Sequence, residues 1–462
     1  MTRYMLDFWR VARVVTLGGV VASTVAGCNA RQPLVAKDPD VVTPGGATGP
    51  DALPVLRAGT IGDFAIAVVG AANVSNNGNE GIASWGGIFT DEFEDKDTFP
   101  TRSQMNTRDA TAVNSSIAGQ FANMGAVHND AVRALAQYAK FGPSTVGQAE
   151  MFNVDGMMYI YTAEHFCSGV PFSTIDVATG KVTNSPFLTT PQMLDTALAR
   201  FVSAQQALAT DTSDGPADIK LQREFATVAT ARALLDLGQV GPAADTAATM
   251  TDAGFAYQIL ESVNSTRQEN GVWNYTDPNQ TQAFSVGDRK NGTGLPFVSS
   301  PDPRVPFFIS GAPANNGDPV FVNQSKYPTS TTNFTVADFT EAQLIVAEGK
   351  IESGNYAAGK AMLDAMRATV GLAALPDSSG AGPKAEMQQL LSERAYWLYV
   401  TGHRLGDWRR VLRLPYSAAP FSFVQADVFP AVGSPGDHIL SLPTPQQTNP
   451  NPNYVACDPS QP

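Results

Sequence analysis

Apolar positions recur at spacings of three and four along much of the chain, the period of a half-buried α-helix. From Phe121 to Lys140, Ala126, Val127, Ala131, Ala134, Leu135 and Tyr138 share one face. Gly147 to Phe166 is apolar almost all round, with Met151, Val154, Met157, Met158, Tyr161 and Phe166, so a core helix is expected. Its Met and aromatic stripe reads as packing rather than as a cofactor box. Pro191 to Ala209 predicts a third helix, with Thr190 as N-cap and Pro191 in the first turn. Ala217 to Leu237 predicts a fourth.

Two later pairs repeat one design. Ala217–Leu237 and Pro242–Met250 are joined by Gly238-Gln239; Phe339–Ser353 and Tyr356–Ala368 are joined by Gly354-Asn355. Placing Gly238 on Gly354 sets Val228 on Leu344, Ala231 on Ala347 and Leu235 on Ile351. A glycine closes each first helix, and the small residues let antiparallel neighbours approach. Lys384–Gly402 followed by Arg404–Leu412 is a further candidate pair. The expected fold class is mainly α, a tetratricopeptide-like array of helix hairpins. Three stretches break the pattern: Thr60–Ser116, Asn264–Thr335 and Pro415–Pro462, all rich in Gly, Pro, Asn, Ser and Thr. Loops of that length inside a folded body usually serve function. The insert 264–335, with eight aromatic residues from Trp273 to Tyr327, is expected to pack on the helices as an irregular subregion, and 415–462 to be a loop-rich tail.

Charge narrows the partners. The 462 residues include 30 basic and 43 acidic side chains, a formal net charge of −13, and no basic run. Wrapping a polyanion needs many cationic contacts to phosphate, so nucleic acid is excluded as a partner. Three Cys and four His show no zinc-type spacing, so no structural metal or cofactor is expected.

The first 27 residues read as a secretory leader. Arg3, Arg10 and Arg13 precede a short apolar run, and Val25-Ala26-Gly27-Cys28 is a bacterial lipobox. Cleavage would leave Cys28 as the lipidated N-terminus, a membrane anchor. Asn29 stands where an inner-membrane retention Asp would be, favouring the outer membrane and the cell surface. Residues 28–59 read as a flexible tether, and 60–462 as the folded domain. Export also allows Cys167 and Cys457 to pair, which would fasten the tail to the helices; two separate buried thiols are the alternative.

Several motifs follow in order. His165-Phe166-Cys167-Ser168-Gly169-Val170-Pro171-Phe172 runs a helix into a G-x-V-P turn. Asp302-Pro303-Arg304 is a DPR element. Glu341 to Glu348 and Gly354-Asn355-Tyr356 form a helix and its turn, and Met366-Arg367-Ala368 precedes Gly371-Leu372. Glu393-Arg394 and Gly402 to Arg410, then Leu442-Pro443-Thr444-Pro445 and Asn449-Pro450-Asn451, complete the set. Behind a lipobox, this order resembles the SusD/RagB family of nutrient-binding lipoproteins. The resemblance implies a SusD-like helical frame with a loop-rich face. It further implies capture of oligomeric nutrient, glycans foremost, and delivery to a TonB-dependent, SusC-like outer-membrane transporter, without chemistry on the substrate.

No catalytic constellation competes. Ser168 lies outside any G-x-S-x-G elbow, and there is no Walker loop or dinucleotide fingerprint. The acidic run Asp91 to Asp97 lacks the ligand pattern of a calcium loop and reads as a solvated charged loop. His403 reads as structural, its ring bonding local backbone. Arg404, Asp407, Arg409 and Arg410 read as scaffold or transporter-facing surface, with Asp407 pairing Arg410 or Arg404. A sugar site needs exposed aromatics beside amides. Trp85, Trp273, Asn274, Tyr275 and Tyr327 are the candidates, each with core burial as the competing reading. The alternative functions are a helical-repeat adaptor lipoprotein in envelope assembly and a secreted hydrolase.

Overall fold

The computed structural model describes residues 48–72, 79–176, 179–289, 294–413, 415–428, 439–445, 451–452 and 457–462. The leader, Cys28 and most of the tether lie outside them. Helix α1 (Leu53–Val68) begins inside the stretch read as tether, and α2 (Gly81–Phe89) lies in one read as loop. Among the described residues, folded structure is present from the helical turn at Pro50–Ala52 and α1, ahead of the start expected at residue 60. Gly and Ala scattered through both segments blur the helical period. Burial of Leu56, Phe64, Ile66 and Val68 supplies what local propensity lacks. The short α3 (Pro100–Asn106) follows.

The predicted long helices are present. Helix α4 (Ser115–Phe141) starts where Asn114 accepts from the Ser116 and Ile117 amides at 3.0 and 3.1 Å. Helix α5 (Val146–His165) is buried along nearly its whole length. Gly156 permits this: a Cβ there would stand 2.5 Å from the Phe201 ring of α6 (Thr190–Ala209). Thr189, not Thr190, caps α6, in a capping box with Gln192; Thr190 is already helical and buried.

The two hairpins form as the glycines predict. Helices α7 (Pro216–Asp236) and α8 (Val240–Ala247) turn at Gly238, φ +74°. After the insert helix α9 (Gly271–Thr276), α10 (Phe339–Glu352) and α11 (Tyr356–Thr369) turn at Gly354, φ +83°. Ala231 and Ala347 are fully buried. A Cβ on Gly349 of α10 would stand 2.4 Å from the Ala244 Cβ of α8, so the hairpins meet at small residues. Helices α12 (Pro383–Trp397) and α13 (Arg404–Val411) complete the array, with Gly402 at φ +81° before α13.

Between helices lie two-stranded antiparallel pairs. β1 (Phe93–Asp95) pairs with β7 (Phe284–Val286), so the early loop region and the insert share a ribbon. The short pairs β2 (Val170–Pro171) with β5 (Phe187–Leu188) and β3 (Thr174–Asp176) with β4 (Lys181–Thr183) follow α5. β6 (Ala256–Ile259) pairs with β10 (Phe334–Asp338) and clamps the insert's two ends, while β8 (Phe307–Ser310) and β9 (Phe321–Gln324) form a hairpin within it. Cys167 and Cys457 are disulfide-bonded, Cα atoms 5.8 Å apart. Beside the bond, the Leu442 amide donates to His165 O at 2.7 Å and the Cys167 amide to Leu442 O at 2.9 Å. The tail is thereby stitched to the end of α5.

The motif residues meet in the interior as a lattice of ion pairs. Arg232 of α7 holds Glu164 of α5 through two bonds of 2.6 and 2.5 Å. Asp407 accepts from Arg394 at 2.9 Å and from Arg410 at 3.0 Å, and Arg410 also holds Glu348. Burial opposes ionisation of Asp407, yet Arg394 and Arg410 outweigh it and hold the carboxyl below the usual carboxylate range. Arg409 donates to Ala163 O at 2.7 Å. Arg304 of the DPR element binds Asp302 at 2.7 and 2.8 Å and Glu393 at 2.6 Å. Arg404, Asp407, Arg409 and Arg410 are all buried, which makes them scaffold and removes the surface reading.

Candidate functional site

The ribbon of β1 and β7 brings together two loop regions far apart in sequence. Ser285 of β7 continues the connection: its hydroxyl accepts from the Val322 amide at 2.9 Å, tying β9 to the same edge. The Lys96 amide donates to Ala283 O at 2.8 Å, and the Asn316 amide donates to Lys96 O at 3.0 Å. Residues near 96, 283 and 316 therefore share one face. Asn315 reaches across it, its side-chain amide donating to Thr281 O at 2.8 Å, while Asn274 donates to Thr281 Oγ1 at 3.0 Å.

The acidic run sits beneath this face and is not a solvated loop. Asp91 is buried against Arg108 at 2.8 Å, and the buried Glu92 accepts from the Val400 amide at 3.0 Å. Burial pushes the Glu92 carboxyl up to about 7, against the pull of Arg404. Lys96 binds Asp318 at 2.6 Å and Glu94 at 3.1 Å. Arg102 binds Glu80 at 2.9 Å and also Asp97. Burial raises the Glu80 carboxyl although Arg102 opposes it. The run is absorbed into a paired foundation because Arg108, Val400, Arg102 and Asp318 meet it from separate segments.

Most of the aromatic candidates support the face from below. Trp85 is 1% exposed, lying 6.4 Å from Phe284, ring centre to ring centre. Tyr275 is stacked with Phe284 at 5.6 Å, and Tyr327 with Phe334 at 5.4 Å; both are buried. Asn274 is buried and used in the Thr281 bond. These four are corrected from ligand candidates to core and support residues: packing on Phe284 and Phe334 takes away the open ring face that a sugar would need. Trp273 alone keeps partial exposure, positioned by α9, whose first turn is capped by Asn270 accepting from the Trp273 amide at 2.9 Å.

The structure adds Phe99. It is 57% exposed at the N-cap of α3, with the Arg102 guanidinium 4.8 Å from its ring centre. The same guanidinium lies 5.1 Å from the Tyr275 ring centre, so Arg102 links Phe99 to the segment carrying Trp273. Asn279, Gln280, Asn315 and Asn316 are exposed on the loops alongside. The only sequence signal for Phe99 was a large apolar residue inside polar Thr98-Phe99-Pro100, with no motif around it. Aromatic rings accept the flat C–H faces of a sugar, and side-chain amides bond its hydroxyls in both directions. Among the described residues no group of three or more His, Cys, Asp or Glu could hold a metal ion. His403 is buried, its Nδ1 2.8 Å from Thr401 Oγ1, so its bond goes to a side chain rather than to local backbone, while Nε2 lies 3.1 Å from Glu341 Oε1 without hydrogen-bond geometry. Burial, then Arg232 and Arg394, push its pKa well below the usual value.

No protein-family model matches the sequence, and no curated protein matches it. Solved structures do. A SusD-like carbohydrate binding protein from Bacteroides vulgatus superimposes with a TM-score of 0.58 at 14% identity, covering 79% of this chain and 83% of that one. A SusD superfamily protein from Parabacteroides distasonis gives 0.58 at 13% identity, over 78% and 88%. A SusD/RagB family protein from Bacteroides thetaiotaomicron gives 0.55 at 12%, over 78% and 87%. With helix hairpins, a clamped insert and a buried ion lattice shared out among its motifs, the chain has the SusD-like fold.

Proposed function

We propose that this chain is a member of the SusD/RagB family: a lipid-anchored protein of the outer-membrane surface that captures glycan oligomers and passes them to a TonB-dependent transporter. The observation that carries the binding reading is the loop face, where exposed Phe99 lies three residues from Lys96, to which Asn316 bonds, and where Asn315 reaches Thr281; partly exposed Trp273 and exposed Asn279 and Gln280 belong to the same insert. Similarity to a carbohydrate-binding structure supports glycan over peptide. The lipobox at Cys28 supports the anchor, and the acidic balance supports no nucleic-acid role. Stacking supplies affinity for rings, and amides supply orientation.

The test is retention on affinity gels carrying different polysaccharides, followed by calorimetric titration with the oligosaccharide of the best one. Phe99→Ala and Trp273→Ala should each weaken binding about tenfold or more, with Tm within a few degrees of wild type. Undiminished binding in both variants sinks the site. Release of reducing ends would instead establish the hydrolase, and protein capture with no glycan retention the adaptor. Palmitate labelling of wild type and Cys28→Ser tests the anchor, and co-purification with a barrel from membranes tests delivery.

A further inference from the structure

Away from the loop face, α1 and β6 bound a cleft of about 600 Å³. Its walls include Pro54, Ala58, Ile61, Leu221 and Ile259, and at its edge Leu260 is 74% exposed. The charged residues around it are matched except one. Glu150 accepts from Tyr257 Oη at 2.9 Å and from Gln222 Nε2 at 3.0 Å, and it is paired with Arg57. Arg267 is bonded to Asp63 at 2.8 Å. Glu261, only 8% exposed, has an enclosed Oε1 with no hydrogen-bond partner, and no cation stands against it.

An enclosed carboxyl oxygen without a donor is unfavourable, by an amount large enough that most such groups in folded proteins are paired. Here a donor can come from outside: Glu261 forms part of the cleft wall, and its Oε2, unlike Oε1, is not enclosed, so a ligand in the cleft can reach the carboxyl there. The apolar walls suit a chain of methylenes or a flat alkyl body; the carboxyl suits an ammonium or guanidinium. We propose that the α1–β6 cleft is a second binding site, for an amphipathic cation of the lysine or arginine side-chain type, with Glu261 as its counter-ion.

Glu261 reinforces the reading by its titration. Burial alone pushes its carboxyl up to about 8, so at neutral pH the empty cleft holds it largely protonated. A bound cation favours the carboxylate, so binding must expel the Glu261 proton to solvent. This signature separates a counter-ion from a passive wall.

The experiment titrates the full chain at pH 7 with Nα-acetyl-lysinamide and hexylamine, against Nα-acetyl-norleucinamide and hexanol as uncharged counterparts. The amines should bind at least about tenfold tighter than the counterparts. Calorimetry in buffers of different ionisation heat should show proton release approaching one per amine. Glu261→Gln should abolish the proton release and cut amine affinity about tenfold, with glycan binding unchanged. Ala58→Trp, on the exposed side of α1, should block the cleft without touching Glu261, and it keeps the test decisive if the Gln variant folds poorly. Equal binding of amine and alcohol, unchanged amine binding in either variant, or no amine binding at all overturns the proposal. None of those outcomes bears on the loop face.

Discussion

The ion lattice among α5, α7, α10, α12 and α13 and the loop face built on β1 and β7 use charge in opposite ways. In the lattice the motif acids are held by bases: Glu164 has Arg232, Glu348 has Arg410, and Asp407 has Arg394 and Arg410. In the loop face the ions lie underneath, as Arg102 with Glu80 and Lys96 with Asp318, and the exposed groups are aromatic rings and neutral amides. The lattice residues are the ones that form recognisable motifs; the exposed ones form none. A buried pair tolerates few substitutes because leaving one partner uncompensated is strongly destabilising. A stacking surface needs only a flat ring somewhere on it. Conspicuous residues therefore mark the frame, and inconspicuous ones make up the proposed site.

The largest test of that contrast is Arg410→Ala, which takes away the base of Glu348 and leaves Asp407 with Arg394 alone. About 3–5 kcal/mol of stability should be lost, read from urea midpoints, whereas a loss below about 1 kcal/mol would mean the lattice is ornamental. Next is Cys457→Ser. Releasing a loop of this length should lower stability by about 2–5 kcal/mol, seen as a fall in Tm with glycan binding preserved at low temperature. Gly349→Leu should cost about 1–3 kcal/mol by forcing α8 and α10 apart at Ala244, an effect that circular-dichroism melts will show. Phe99→Ala should leave stability within about 0.5 kcal/mol while weakening glycan binding, the inverse of the lattice variants.

A pH series sharpens the same comparison. Burial raises Glu92 and Glu341 to about 7 and Glu261 to about 8, well above their unfolded values. Between about pH 4.5 and 8 the folded state therefore holds protons that the unfolded chain has released, and this contribution to stability declines as pH rises through that window. Asp407 has the opposite sign: its depressed pKa gives stability that is present at neutral pH and lost only in strong acid. Urea midpoints should thus fall from pH 5 toward pH 8 on account of the raised carboxyls. Glu261→Gln should flatten the upper part of that fall, and an unchanged slope would refute the assignment.

Hydrophobic period and turn glycines were enough to place α4 to α8 and α10 to α13, because each signal is local, although α4 begins at Ser115 rather than Phe121 and α12 ends at Trp397 rather than Gly402. Gly238 and Gly354 predicted turns that the backbone makes at positive φ. The pairing of Asp407 with Arg410 was legible too, since three residues separate them on one helix. Helix α1 was missed where Gly and Ala dilute the pattern, and the acidic run Asp91 to Asp97 was misread because its partners Arg108, Val400 and Asp318 come from distant segments.

By itself, then, the order of residues determined the helices, their hairpin turns, the chance for Cys167 and Cys457 to meet and the family likeness of the motifs. Only the folded chain decided which rings see solvent. Trp85 and Phe99 both sit among small or polar neighbours in one dimension, yet Trp85 is 1% exposed and Phe99 57%. The difference arises because the 264–335 insert lays Phe284 against Trp85 and leaves Phe99 uncovered at a helix start. Exposure is a property of what packs on a residue, and for Trp85 that partner, Phe284, comes from a separate part of the chain.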